Sequence, residues 1–193
     1  MNYKFLINGI KNIILDPVKA WESIDTENYP VKIVKESLFI PLVVLISISA
    51  ITGSLVFVNS RLSPLYSIFA GIKCFGLFYL SVYASAFIFG EITRAFNLGQ
   101  NFSSSFKLIV YSILPVLLCQ VLSRLFESLL FVDVLGLYGL YIFWTGAEKI
   151  LNPPEDKKVP LLIVTTISFI VVYAATNFIL TKLVNIIFYA FFD

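Results

Sequence analysis

Apolar residues in this chain occur in long runs almost free of charge, and polar residues are confined to the short segments between them. A charge-free run of about 20 residues can cross the ~30 Å hydrocarbon core of a bilayer. The pattern therefore predicts an all-α integral membrane protein with five transmembrane helices and an N-terminal amphipathic interfacial helix. The predicted spans are residues 38–58, 66–90, 105–123, 128–146 and a last one from 160 that is free of charge to 181.

The hydropathy pattern divides the chain into two parts. Residues 1–36 are predicted to be a cytoplasmic amphipathic segment, and residues 37–193 a five-helix transmembrane domain. The first part carries ten charged residues and lacks a long apolar run, so we expect no cleavable signal peptide. After Lys182 a further apolar tail follows, and the last helix-compatible stretch is then too long for one upright span, which predicts tilt, a bend or an interfacial tail.

A short helix is predicted just before the first span. Asp16 can cap exposed backbone N–H groups and Pro17 suits a first helical position, so the pair indicates a helix start. Val18, Trp21 and Ile24 would then share one face. A helix with Trp and Lys favours the headgroup zone of a membrane, but the same face could instead pack against the helical bundle or dock a partner.

Lysine and arginine are distributed unequally between the predicted loops. Ten lie in the N-terminal segment, the connector after span two and the loop between spans four and five, and three lie in the remaining loops and after span five. The positive-inside rule then predicts a cytoplasmic N-terminus and an outside C-terminus, in the inner membrane for a bacterial protein.

Composition argues against several kinds of chemistry. The chain contains no histidine, which removes His-based catalytic triads and His metal sites. No glycine-rich phosphate loop is present, and Cys74 and Cys119 are isolated within apolar runs. A net charge of +2 without a basic stripe gives no support for nucleic-acid binding. We therefore predict no enzyme activity, no cofactor and no metal.

Two ionisable residues within the predicted spans are the main candidates for function, because charge is costly inside a membrane. Lys73 lies about 12 Å below the outer end of span two, and Asp133 about 8 Å below the outer end of span four, at ~1.5 Å rise per residue. Their similar depth predicts that they pair or share an outer vestibule. The alternative is that Lys73 extends to the surface alone and that Asp133 belongs to a splayed outer turn.

Other polar residues mark the ends of the spans. Glu91 and Arg94 are three residues apart on one helix, and with Glu148 they could form a cytoplasmic cluster, either a solvated end of the bundle or a recognition site. Arg124 and Glu127 are the corresponding pair at the outer end.

The third span contains a proline at mid-depth. Pro115 cannot donate a hydrogen bond to the carbonyl of Tyr111, so we predict a kink there. The polar residues around it would form either a closely packed helix interface or the lining of a pathway for a lipid headgroup or solute.

Three stretches carry a resemblance to a known family: DPVKAWESI at 16–24, FNLGQNFSSSFKLIVYSILPVLL at 96–118 and LYGLYIFWTGAEKILNPPEDK at 137–157. In their order and spacing they resemble the Yip-one (Ypt-interacting protein) domain family of five-span proteins. Eukaryotic relatives have a longer N-terminal region with an acidic-aromatic DLYGP-type motif, which is missing here. The chain therefore resembles the bacterial branch, and GTPase binding is not supported.

The resemblance implies a non-enzymatic membrane scaffold or adaptor of trafficking type that organises other membrane proteins or lipids. Its expected partners are membrane lipids and either another membrane protein or a second copy. The alternative is a channel or transporter-like protein for a small solute, an ion or a lipid, which would use the polar features around Lys73, Asp133 and Pro115.

Overall fold

The computed structural model describes residues 3–57, 64–99 and 101–192, and this part of the chain is helical apart from short connections. Its nine α-helices are α1 Tyr3–Leu15, α2 Pro17–Glu27, α3 Val31–Val34, α4 Ile40–Phe57, α5 Pro64–Ala95, α6 Phe102–Ser112, α7 Leu114–Leu125, α8 Tyr138–Leu151 and α9 Glu155–Phe192. A π-helical segment, Lys35–Phe39, joins α3 to α4, and a 3₁₀ segment, Glu127–Leu137, leads into α8.

Within the described residues, four helical stretches are long and apolar enough to cross a membrane, and the bent pair of α6 and α7 would make a fifth. The four are Val31–Val56, Pro64–Ala95, Ser128–Leu151 and Glu155–Phe188. The predicted all-α membrane fold is confirmed. The first of these helices runs through residue 36, so the predicted domain boundary falls inside a helix. Most of the turn predicted before span two lies outside the described residues.

Two connections are shorter than the sequence pattern predicted. α5 continues to Ala95, so the connector expected from Glu91 starts later. Asn97 and Gly99 turn the chain there, with φ values of 59° and 63°, and the side chain of Asn101 caps α6. The loop expected at 152–158 is reduced to 152–154, because Glu155 and Asp156 form an acidic first turn of α9, which is favourable at a helix N-terminus.

The last helix is continuous. α9 has 38 residues and is therefore about 57 Å long, well beyond the thickness of the hydrocarbon core. It includes the apolar tail after Lys182 as further helix.

The third span is bent by 46° between α6 and α7, as the proline predicted. The helix breaks at Ile113, whose φ and ψ are −88° and 0°, and Pro115 lies in the first turn of α7, where a missing N–H is tolerated. α6 packs against α5 and α8, whereas α7 packs against α4 and the 3₁₀ segment. The bend thus lets one span contact two sets of neighbours.

The two N-terminal helices pack on the bundle. Trp21 is fully buried, its Nε1 donates a hydrogen bond of 3.0 Å to the carbonyl of Ile142, and its ring lies edge-on to Tyr111 at 5.6 Å. Gly146 faces the indole without a side chain, which allows this close approach. The buried face of α2 consists of Pro17, Ala20 and Trp21, while Val18 is half exposed, so the predicted face was wrong at that position.

Candidate functional site

A polar vestibule of about 810 Å³ is lined by α4, α5, α7, the 3₁₀ segment and α9. It lies at the end of the bundle where α4 ends and α5 begins. Two cations, Lys73 and Arg124, and one carboxylate, Asp133, line it. Neutral polar side chains complete the wall: Ser54, Tyr66, Gln120, Ser123, Asn177, Thr181 and Asn185.

Asp133 is held by two side chains of α7. Its Oδ2 accepts a hydrogen bond of 3.0 Å from Gln120 Nε2, and its Oδ1 accepts one of 2.9 Å from Ser123 Oγ. Gln120 Oε1 in turn accepts a hydrogen bond of 3.0 Å from Arg124 Nε. The carboxylate is thus at the centre of a network that fixes the 3₁₀ segment to α7 and orients Arg124.

Lys73 and Asp133 both line the vestibule, which is one of the two predicted arrangements. They do not form the other, a direct ion pair. No ion pair between described residues includes Lys73 or Arg124. Asp133 is bound instead by Gln120 and Ser123. The side chain of Glu127, which we expected beside Arg124, is outside the described part of the structure.

The sequence reasoning missed the contribution of α9. Asn177, Thr181 and Asn185 lie four residues apart, which places them on one face of the helix, and all three line the vestibule. In the sequence these residues form a polar stripe at helical spacing in an otherwise apolar run. It was overlooked because these side chains are uncharged.

At the opposite end of the bundle, the predicted three-membered cluster separates into two ion pairs. Arg94 contacts Glu91 at 2.6 Å, whereas Glu148 contacts Lys158 at 2.8 Å. The first pair lies within α5 near its end, and the second joins α8 to α9. Lys158 also contacts Glu155 at 2.7 Å, within the first turn of α9.

The same end also holds the N-terminal helices. Lys149 at the end of α8 contacts Glu22 of α2 at 3.4 Å. The buried Lys107 of α6 donates a hydrogen bond of 2.7 Å to Oδ1 of Asn28, which follows α2 directly. Lys107 lies inside α6, within the predicted third span. At the start of α2, the side chain and backbone N–H of Lys19 donate to Asp16 and lower the pKa of that carboxyl.

The remaining candidates are structural neighbours of Trp21. Tyr111 is almost fully buried and borders a cavity of about 330 Å³ between α1, α2 and the bundle. Ile24, which is partly buried, lines the same cavity.

Cys74 and Cys119 are free, buried thiols. Among the described residues, no three His, Cys, Asp or Glu side chains are grouped so that they could hold a metal ion.

The membrane-length helices, the bent span and the polar vestibule define a polytopic α-helical membrane protein. The family model of the Yip1 domain matches residues 11–177, which is most of the chain. The chain therefore belongs to the Yip1 domain family, and the recognition from the three sequence stretches is confirmed. Neither a curated protein nor a solved structure matches it.

Proposed function

We propose that this member of the Yip1 family is a non-enzymatic membrane scaffold that holds other membrane helices through the exposed face of α9. The observation that carries the proposal is how little of α9 the bundle covers. In the most apolar stretch of α9 only 11% is buried inside the bundle, compared with 44% in that of α5. Its main neighbour is α5, with a smaller contact to α8.

The exposed face is long, apolar and regular. Ile163, Ile167 and Ile170 are 51%, 56% and 59% exposed, and Phe178 further along is 64% exposed. Two small residues, Ala174 and Ala175, are exposed between them. Helices associate in lipid by van der Waals packing, and small residues allow their backbones to approach closely. Such a face suits association with a second transmembrane helix.

Photocrosslinking in the native membrane tests this role. A photoreactive amino acid at position 170 should give one discrete protein adduct, either with a second copy or with another membrane protein. The matched control is position 48 on α4, which is also apolar and 53% exposed. The control should give lipid adducts and no discrete protein band. Equal protein crosslinking from both positions, or lipid adducts alone from position 170, contradicts the scaffold proposal.

A transport function is the second candidate, and the vestibule supports it, because charged groups in a membrane bundle commonly line a pathway. Purified protein in liposomes would then show solute flux or lipid scrambling that is lost in Asp133→Ala. Rates equal to those of protein-free liposomes argue against transport and leave the scaffold proposal untouched.

A further inference from the structure

The vestibule has an excess of positive charge. It contains the ammonium group of Lys73 and the guanidinium of Arg124 against the single carboxylate of Asp133. Both oxygens of that carboxylate are already hydrogen-bonded, to Gln120 and Ser123. Among the described side chains, no ion pair includes either cation.

The two cations line the same vestibule, and one is held in place. Two like charges that share a cavity repel each other, which is unfavourable. The hydrogen bond from Arg124 Nε to Gln120, and from Gln120 to Asp133, orients the guanidinium before any ligand arrives. An anion between the two cations would remove the repulsion, and the orienting network lowers the entropy cost of binding it.

The rest of the wall indicates what kind of anion fits. Asn177 and Asn185 add amide groups from α9, while Leu77, Leu130 and Val184 supply apolar surface. A volume of about 810 Å³ far exceeds that of a simple inorganic ion and is typical of sites for organic ligands. Arginine and lysine together favour a phosphate group, which offers several oxygens to a forked donor and to a point charge.

We propose that the vestibule binds the phosphate group of an organic phosphate ester between Lys73 and Arg124. The apolar part of the wall contacts the carbon-containing part of the ligand. The inference does not depend on association through the outer face of α9, because the vestibule lies on the inner side of that helix. The phosphate ester can be a membrane phospholipid or a soluble molecule, and the experiment separates these two sources.

Lysine acetylation measured by mass spectrometry on the wild-type protein tests the site. The protein is kept in dodecyl maltoside micelles, which contain no phosphate. It is measured without ligand, with added phosphatidylglycerol, or with glycerol 3-phosphate in the buffer. At ligand concentrations about ten times the dissociation constant, acetylation of Lys73 should slow about tenfold. Lys182, an exposed cation of α9 that does not line the vestibule, should react at an unchanged rate.

Protection by phosphatidylglycerol alone identifies a lipid headgroup, and protection by glycerol 3-phosphate identifies a soluble ester. Either result supports the phosphate site. If neither ligand protects Lys73, or if Lys73 and Lys182 are protected equally, the site does not exist. This measurement needs no substitution, so it decides the question even where a variant fails to fold.

Variants then test the two cations separately by native mass spectrometry of the protecting ligand. Lys73→Gln and Arg124→Gln should each weaken binding about ten- to hundredfold, which is the usual effect of losing one charge-assisted hydrogen bond. Lys73→Arg should keep most of the affinity and Lys182→Gln all of it. Unchanged affinity in a folded Lys73→Gln or Arg124→Gln variant overturns the proposal.

Discussion

Single polar and glycine residues determine how this bundle packs. Lipid tails are as apolar as the side chains they surround, so burial of apolar area does little to distinguish one helix contact from another in a membrane. Hydrogen bonds and small residues supply that selectivity. The Trp21 indole makes both kinds of contact, because it donates a hydrogen bond to the Ile142 carbonyl and packs on Gly146.

Gly146→Ala should therefore loosen the contact between α2 and α8. An added methyl group would overlap the Trp21 ring and Leu108, both in the fully buried core. Overpacking of this kind costs about 1–3 kcal/mol. We expect a lower thermal midpoint in detergent and, in a Trp144→Phe background, Trp21 fluorescence shifted to the red.

Gly76→Ala is the matched control, because a methyl group there would meet only Leu180 at an ordinary contact distance of 3.5 Å. It should leave the thermal midpoint unchanged or raise it slightly, since alanine is the better helix former. A thermal midpoint for Gly146→Ala that equals the wild-type value would show that the Trp21 contact tolerates extra volume.

Asp133 gives a second prediction for a single residue. Asp133→Ala should destabilise the protein by about 1–3 kcal/mol, because Gln120 Nε2 and Ser123 Oγ both lose their acceptor. Asp133→Asn keeps one acceptor oxygen and should cost less. Chemical or thermal unfolding of Asp133→Ala, Ser123→Ala and the double variant measures the coupling. Additive effects of the two single substitutions would mean that the hydrogen bond contributes nothing.

Among the elements, those set by local sequence were predictable and those set by distant contacts were not. Span positions follow from charge-free length and the turn after α5 from Asn97 and Gly99, while Pro115 marks the position of the bend. The buried position of Lys107 was not predictable, because its partner Asn28 lies 79 residues away in sequence. The polar stripe of α9 was readable as a pattern, but only the packing against α5 shows that it faces the vestibule.

The bend between α6 and α7 allows a prediction about its cause. Gly139 of α8 lies so close to the Ser112 carbonyl that a methyl group would overlap it, and the two halves contact different neighbours. Packing should therefore maintain the bend without the proline. We expect Pro115→Ala to leave the distance between spin labels at the two ends of the span unchanged, as measured by pulsed electron paramagnetic resonance.

A lengthening of that distance toward the value for a straight helix would instead assign the bend to Pro115 itself. The control is Val116→Ala, one residue further along α7, which alters side-chain volume without changing backbone hydrogen bonding. It should give the wild-type distance under either explanation, so a shift in this variant would indicate general loosening of the span.

At the scale of the whole molecule, the two ends of the bundle differ in chemistry. One end is closed by α1, α2 and ion pairs that join α2 to α8 and α8 to α9. The other end opens into the vestibule and presents the exposed apolar side chains of the 3₁₀ segment, among them Phe131 at 69% exposure. A molecule with such different ends needs a defined orientation in the membrane.

We propose that the closed end is cytoplasmic, as the lysine and arginine distribution predicts. Single cysteines at Lys19, Asp156 and Ser128 test this, in a background without the two native cysteines. With a membrane-impermeant thiol reagent on intact cells, only Ser128→Cys should react, whereas Lys19→Cys and Asp156→Cys should react after lysis. Both of the latter belong to the closed end, so labelling of one without the other would contradict the arrangement of the bundle. Labelling of both in intact cells would agree with the arrangement of the bundle but would mean that its orientation is reversed. The vestibule would then lie in the cytoplasmic leaflet.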